Sequence, residues 1–364
     1  MLRTRPIPRG FTVLELMVTM AVMAVVIAGL TVAMNDLGRL SAVRRLITDV
    51  QGEGRAGAGR LQDDLREASL GSANGVVVAA TAFGVEPRPA VQIFDNVPGG
   101  VAWLPVKPGT DAVLVVSAGT RVWDPVTGTV RAVQASVNAE SFDAAGQPLS
   151  VTSTTGFQPA QHVLVGNYKR AGWARIVSVT GAAPGTLQLG VAGNIFPDGK
   201  AEVGALVRAA FARLYYVNLE DELVAAEMLV PHAPSTAAQV LASEPVARGV
   251  ENLQVDCELD GGGLGWFQGC PGVIAIGNTI ANESAASGLA NPRLDATSIA
   301  SLRTVSLSVV VRSRDPVRSE TGEPPLAVGN QSALNARYVD PSAAFARRAY
   351  RISVGVRNTS LGAL

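Results

Sequence analysis

The chain has 364 residues, 48% hydrophobic and 16% charged, with 30 Lys+Arg against 30 Asp+Glu. This excludes a disordered acidic or basic chain and any global pull toward nucleic acid or acidic membrane, and it leaves enough apolar side chains for one large or two modest folded regions plus an anchor. The 38 Gly and 21 Pro suit a turn-rich β protein, and two Cys with two His leave little metal or thiol chemistry.

The first ten residues, MLRTRPIPRG, are polar and basic through Arg3, Arg5 and Arg9, and Pro6 and Pro8 oppose a helix. Phe11 to Leu30 then runs for twenty residues with one charge, Glu15. A helix of that length spans about 30 Å, the thickness of a bilayer core. The preceding arginines keep the leader cytoplasmic and send the rest of the chain outward. A secretory signal peptide fits poorly, because the run is long, carries a carboxylate and has only an unconvincing small-residue exit near Ala33. A plain signal anchor explains the length but not Glu15, since a carboxylate there costs about 2.5–3.5 kcal/mol.

The stretch Gly10-Phe11-Thr12-Val13-Leu14-Glu15-Leu16 resembles the prepilin processing site of type IV pilins and type II secretion pseudopilins. The resemblance implies that a membrane prepilin peptidase cuts after Gly10 and methylates the new N-terminal Phe11, leaving Glu15 as the fifth mature residue. The physics agrees. Cleavage puts an ammonium at the head of an apolar helix, and leaving it unpaired in a dry bundle costs several kcal/mol. Glu15, one turn in, can pair with the Phe11 amine of a neighbouring subunit. Pairing with its own chain's amine, or protonation in lipid, remains the alternative.

After Asn35 and Asp36, apolar residues recur at spacings of three and four: Leu37, Leu40, Val43, Ile47 and Val50, then Leu61, Leu65 and Ala68. That pattern predicts an amphipathic helical stalk over 35–70, beyond a transmembrane and polymerisation helix over 11–34. Gly52, Gly54, Gly57 and Gly59 interrupt it at about 1 kcal/mol each. They predict a weakened or bent segment near 52–59, either a flexible joint or a loose solvated stretch.

From residue 71 short β-rich runs alternate with turns, among them Val76–Ala79, Ala90–Phe94, Ala112–Ser117, Val130–Ser136, His162–Val165, Ala174–Val179 and Thr186–Leu189. Val203–Arg208, Arg213–Val217, Leu253–Glu258, Thr304–Arg312 and Arg351–Arg357 follow. Residues 277–298 read as a loop and 313–346 as a proline-rich excursion between two strands. The expected class is α+β: a pilin-like long N-terminal helix, then an enlarged, mostly antiparallel β region, divided at 71–246 and 247–364. Several blocks resemble PilW-like minor pilins: Gly59–Gly71 (GRLQDDLREASLG), Val106–Ser117 (VKPGTDAVLVVS), Phe157–Thr180, Ala247–Asp256, Arg303–Ser313 and Tyr350–Asn358. The glycine run departs from that family's usual polar helix.

Cys257 and Cys270, in a domain exported to an oxidising compartment, are expected to form a disulfide worth about 3 kcal/mol for a loop of that size. Asp256, Glu258 and Asp260 suit calcium by ligand type but lack EF-hand spacing, so a solvated turn is the preferred reading. His162 and His232 have no metal-ligand spacing, and the chain carries no G-x-S-x-G, Walker, HExxH or Rossmann signature; no enzyme activity and no cofactor are expected. DNA binding is the competing reading, but Arg44-Arg45 and Arg347-Arg348 are short pairs, and Trp103, Trp123, Trp173 and Trp266 are scattered. The resemblance implies a minor pilin near the filament tip, held as a single pass in the inner membrane before it joins other minor and major pilins in a surface pilus. A GspJ-like secretion pseudopilin is the alternative.

Overall fold

In the computed structural model, the described residues are 12–68, 76–81, 84–94, 97, 105–118, 121–124, 129–139, 141–142, 148–166, 171–190, 200–229, 239–259, 267–268, 277–279, 290–292, 302–313, 345 and 347–355. They form one long helix followed by a mostly antiparallel β region, the α+β class expected from the sequence. Two compact units divide the chain, Met1–Asp49 and Val50–Leu364.

Helix α1 runs from Val13 to Glu67, a stretch free of proline. Within the first unit most of its described side chains are exposed, Leu14 at 73% and Met34 at 70%, and the helix is long and apolar enough to cross a membrane. Within the second unit Val50, Gly54, Gly57, Ala58, Leu61, Asp64, Leu65 and Ala68 form one buried stripe at spacings of three and four. The Ser117 hydroxyl donates to the Glu67 carbonyl at 2.6 Å and so satisfies one orphan acceptor of the last turn.

This overturns the expected weak segment at 52–59. The helix is unbroken there, and two of its glycines are contacts rather than gaps. A Cβ on Gly54 would overlap the Tyr350 ring, and one on Gly57 would lie 2.8 Å from Ala247 Cβ. The missing side chains let the helix backbone approach the strands closely. Gly52 and Gly59 face open space.

The strands in chain order are β1 (Val76–Thr81), β2 (Gly84–Pro89), β3 (Val91–Phe94), β4 (Ala112–Ser117), β5 (Arg121–Asp124), β6 (Thr129–Ala132), β7 (Gln134–Ser136), β8 (Ser141–Phe142), β9 (Pro148–Val151), β10 (His162–Gly166) and β11 (Ala171–Gly181). Then come β12 (Gly185–Gly190), β13 (Lys200–Ala201), β14 (Leu206–Val217), β15 (Glu222–Leu229), β16 (Gln239–Arg248), β17 (Val250–Leu259), β18 (Phe267–Gln268), β19 (Gly277–Thr279), β20 (Ala290–Pro292), β21 (Leu302–Arg312) and β22 (Arg347–Gly355). The predicted loop at 277–298 contains the small β19–β20 hairpin. The predicted excursion at 313–346 lies almost wholly outside the described residues.

Strands β3, β4, β14, β15 and β16 pair in that order, all antiparallel. One face of this sheet carries Val91, Val113, Tyr215, Val217 and Leu223 and packs with the helix stripe. The other carries Phe94, Leu114, Leu214 and Tyr216 in a second core. A smaller sheet, ordered β18-β17-β21-β22, contributes Leu253, Val255, Val305, Leu307 and Val309 to the helix-facing core. The chain passes from β16 to β17 through Gly249, with φ +70°, where a Cβ would lie 2.5 Å from the Arg312 carbonyl oxygen; only glycine fits.

Five of the remaining strands, together with the start of β14, close on themselves. β7 pairs with the start of β14, β14 with β10, β10 with β11, β11 with β12 and β12 with β9. A bridge between Val137 and Val151 then joins β9 back to the end of β7. This six-stranded antiparallel barrel is filled by its own core, including Val151, Val163, Ile176, Leu187 and Val207.

Candidate functional site

Gly10 and Phe11 lie outside the described residues. The first residue described, Thr12, caps α1. Its backbone N–H and hydroxyl donate to Glu15 Oε2 at 3.2 and 3.3 Å, and the Glu15 N–H donates to Thr12 Oγ1 at 3.3 Å. This is a reciprocal capping box, which satisfies donors of the first turn and places a carboxylate at the positive end of the helix. The pattern T-x-x-E was the signal for it, and the sequence reading, occupied with Glu15 alone, missed Thr12.

The other hydroxyls of the apolar segment turn inward on the backbone. Thr19 Oγ1 donates to the Glu15 carbonyl at 2.7 Å, and Thr31 Oγ1 donates to the Ile27 carbonyl at 2.8 Å. Such internal satisfaction is what a helix needs in a medium without water. Glu15 is thus the one charged group between Phe11 and Leu30, placed one turn from the predicted new N-terminus.

In the second unit a polar group fastens α1 to β14. Arg213 Nη1 donates to both Asp64 oxygens, at 3.1 and 2.9 Å, and the Tyr215 hydroxyl donates to Asp64 Oδ2. Burial, reinforced by the Asp64 charge, pushes the Tyr215 phenol well above its ordinary range. Burial alone would lower the Arg213 guanidinium, but the hydrogen bond and charge of Asp64 outweigh it and raise the group. These residues are separated by 149 and 151 positions, so no local pattern announces the cluster.

A second charged group ties the two sheets together. Lys107 and Arg312 both donate to Asp221, and Arg347 grips Glu251 through Nε and Nη2 at 2.7 and 3.0 Å. Arg347, one of the Arg347-Arg348 pair too short to signal a nucleic-acid groove, is thus engaged in a bidentate pair. Asp111, in the VKPGTDAVLVVS block, is fully buried. Its N–H donates to the Leu253 carbonyl at 2.9 Å, and its Oδ2 accepts from the Val255 N–H at 2.7 Å. The side chain stands in for a neighbouring strand along β17.

Of the aromatic and histidine candidates, His162 and Trp173 are buried with ring centroids 4.7 Å apart. His232, Trp103 and Trp266 lie outside the described residues, as does the Trp123 side chain. So do Cys270, Asp260 and the side chains of Cys257, Asp256 and Glu258, which carry the expected disulfide and the weighed calcium site. Among the described residues no group of three or more His, Cys, Asp or Glu side chains could hold a metal ion.

Residues 8–31 match the prokaryotic N-terminal methylation motif, the signal of type IV pilin precursors. No curated protein and no solved structure matches the chain. The motif supports a type IV pilin-like or pseudopilin protein, processed by a prepilin peptidase and anchored by one apolar helix before assembly with other pilins.

Proposed function

We propose that the chain is a minor type IV pilin of the PilW-like kind. Its precursor is cut after Gly10 and methylated at Phe11, waits as a single pass in the inner membrane, and moves into a surface pilus beside other minor and major pilins. Its work is assembly, supporting twitching, adhesion or DNA uptake, with no substrate turned over and no cofactor. The observation that carries this reading is the methylation motif at 8–31 running into one unbroken helix whose only early charge is the capped Glu15.

The assembly chemistry follows from that placement. In the precursor Glu15 is engaged locally by Thr12. Cleavage creates an ammonium at Phe11, and the carboxylate can exchange a neutral N–H partner for a charged one on an adjacent subunit, a stronger hydrogen bond. The large second unit, Val50–Leu364, supports a place near the filament tip, since so bulky a head packs poorly in a repeated shaft.

Mass spectrometry of the exported protein is expected to find a methylated Phe11 start; a start at Met1 or beyond Leu30 overturns the proposal. Deleting the gene is expected to abolish twitching. Loss of protein secretion instead would assign the chain to a type II secretion pseudopilus.

A further inference from the structure

We propose that the six-stranded barrel is a discrete module inserted into an assembly core, and that it unfolds separately from that core and is dispensable for assembly. The first observation is connectivity. The chain leaves the central sheet at Ser117 and returns at Phe211, and these two residues are direct partners across β4 and β14. Paired residues in neighbouring antiparallel strands have Cα atoms about 5 Å apart, so everything between 118 and 210 begins and ends at one spot. A two-residue turn joining Ser117 to Phe211 would leave β4 and β14 as a plain hairpin in an otherwise unchanged sheet.

The second observation is that the barrel has its own interior. Its core includes Val151, Val163, Ile176, Leu187 and Val207, and none of its members belongs to either core of the central sheet. The ring of pairings from β7 round to β9, closed by the Val137–Val151 bridge, gives each of the six strands a neighbour on both sides over at least part of its length, which protects their edges.

The third observation concerns the seam. Among the described residues, Leu164 and Trp173 of the barrel join the second core of the central sheet, and β1 pairs in parallel with β11 at Val78 and Gly172. The buried indole N–H of Trp173 meets no acceptor among the described residues.

The folding part is tested by native-state hydrogen exchange on the full chain in detergent. Leu187→Ala is expected to speed exchange of the slowest amides in β9, β11 and β12 by about 30-fold or more. Amides of β15, β17 and β21 should stay within about twofold, because distant independent sites do not couple. Leu253→Ala should give the reverse pattern. Equal acceleration of both sets by either variant overturns the module.

The assembly part rests on the pilin reading. It is tested by replacing residues 118–210 with Asn-Gly and measuring incorporation into sheared filaments beside the intact chain. Incorporation of both is the expected result. Failure of the shortened chain alone, whether through misfolding or exclusion, overturns dispensability, whereas failure of the intact chain overturns the pilin reading itself.

Discussion

Helix α1 lives in two surroundings along its length. In the stretch 13–49 its apolar side chains face outward, with Leu37 65% and Leu40 54% exposed, whereas Leu61 and Leu65 farther along are fully buried. Spacings of three and four recur in both stretches, from Leu37 to Ile47 and again from Leu61 to Ala68, whereas residues 13–34 are apolar nearly throughout. What differs is what the small residues meet: Gly29 and Gly38 face open space, whereas Gly54 and Gly57 touch the strands. The outer stretch has Gly54, Gly57 and Ala58, a low profile cut to one fixed set of strands. The inner stretch has Met17, Met20, Met23 and Met34, four of the chain's six methionines, whose adaptable side chains suit surroundings without a fixed shape. Apolar spacing therefore marks a face of the helix, and the close contacts at Gly54 and Gly57 show where that face meets fixed strands.

Substitutions can break or sharpen this contrast. The largest effect is expected from Asp64→Ala, which strands Arg213 and Tyr215 at the helix–sheet contact; denaturant unfolding should show a loss of about 3–5 kcal/mol. Leu61→Ala should cost about 2–5 kcal/mol in the same assay, while Met23→Ala, on the uncovered stretch, should leave head stability unchanged. Gly54→Ala should cost about 1–3 kcal/mol, because the new methyl must displace Tyr350. Gly52→Ala, facing open space, should be neutral or slightly stabilising.

The pH dependence carries a definite sign. The folded Tyr215 phenol titrates above its unfolded value, so its contribution is fully present below about pH 10 and is lost as pH rises beyond that toward the folded value. An alkaline unfolding series should show this fall, and Tyr215→Phe should flatten it. A modest, local effect is expected from Thr12→Ala, which removes half of the capping box; helix content of the detergent-bound chain should fall by an amount equivalent to about 1 kcal/mol.

Much of this was legible in the residues. The apolar run with Glu15 gave the anchor, and Leu61, Leu65 and Ala68 marked the buried stripe. A continuous apolar run located β4 at its full length, and alternation located β21 nearly so. Strands β15 and β16 went unread because ELVAAEML and QVLASEPVAR are rich in Ala, Leu, Glu and Met, types with helical preference that neighbouring strands override. Strand β14 read as two pieces, since Ala209, Ala210 and Ala212 around Phe211 blur the alternation. The glycine run misled because propensity counts what a glycine loses in freedom and ignores what it permits in contact. The Asp64 and Asp221 groups depend on partners far away in sequence, which no window could join.

Strand β14 has one further consequence. Val207 points into the barrel, Tyr215 toward the helix and Leu214 toward the opposite core, so one alternating strand supplies three interiors. A slip of a single residue in its pairing would turn every one of these side chains to the wrong side at once. Misalignment in this strand therefore has no local remedy. It would spoil all three interiors together, which makes the correct alignment self-enforcing during folding.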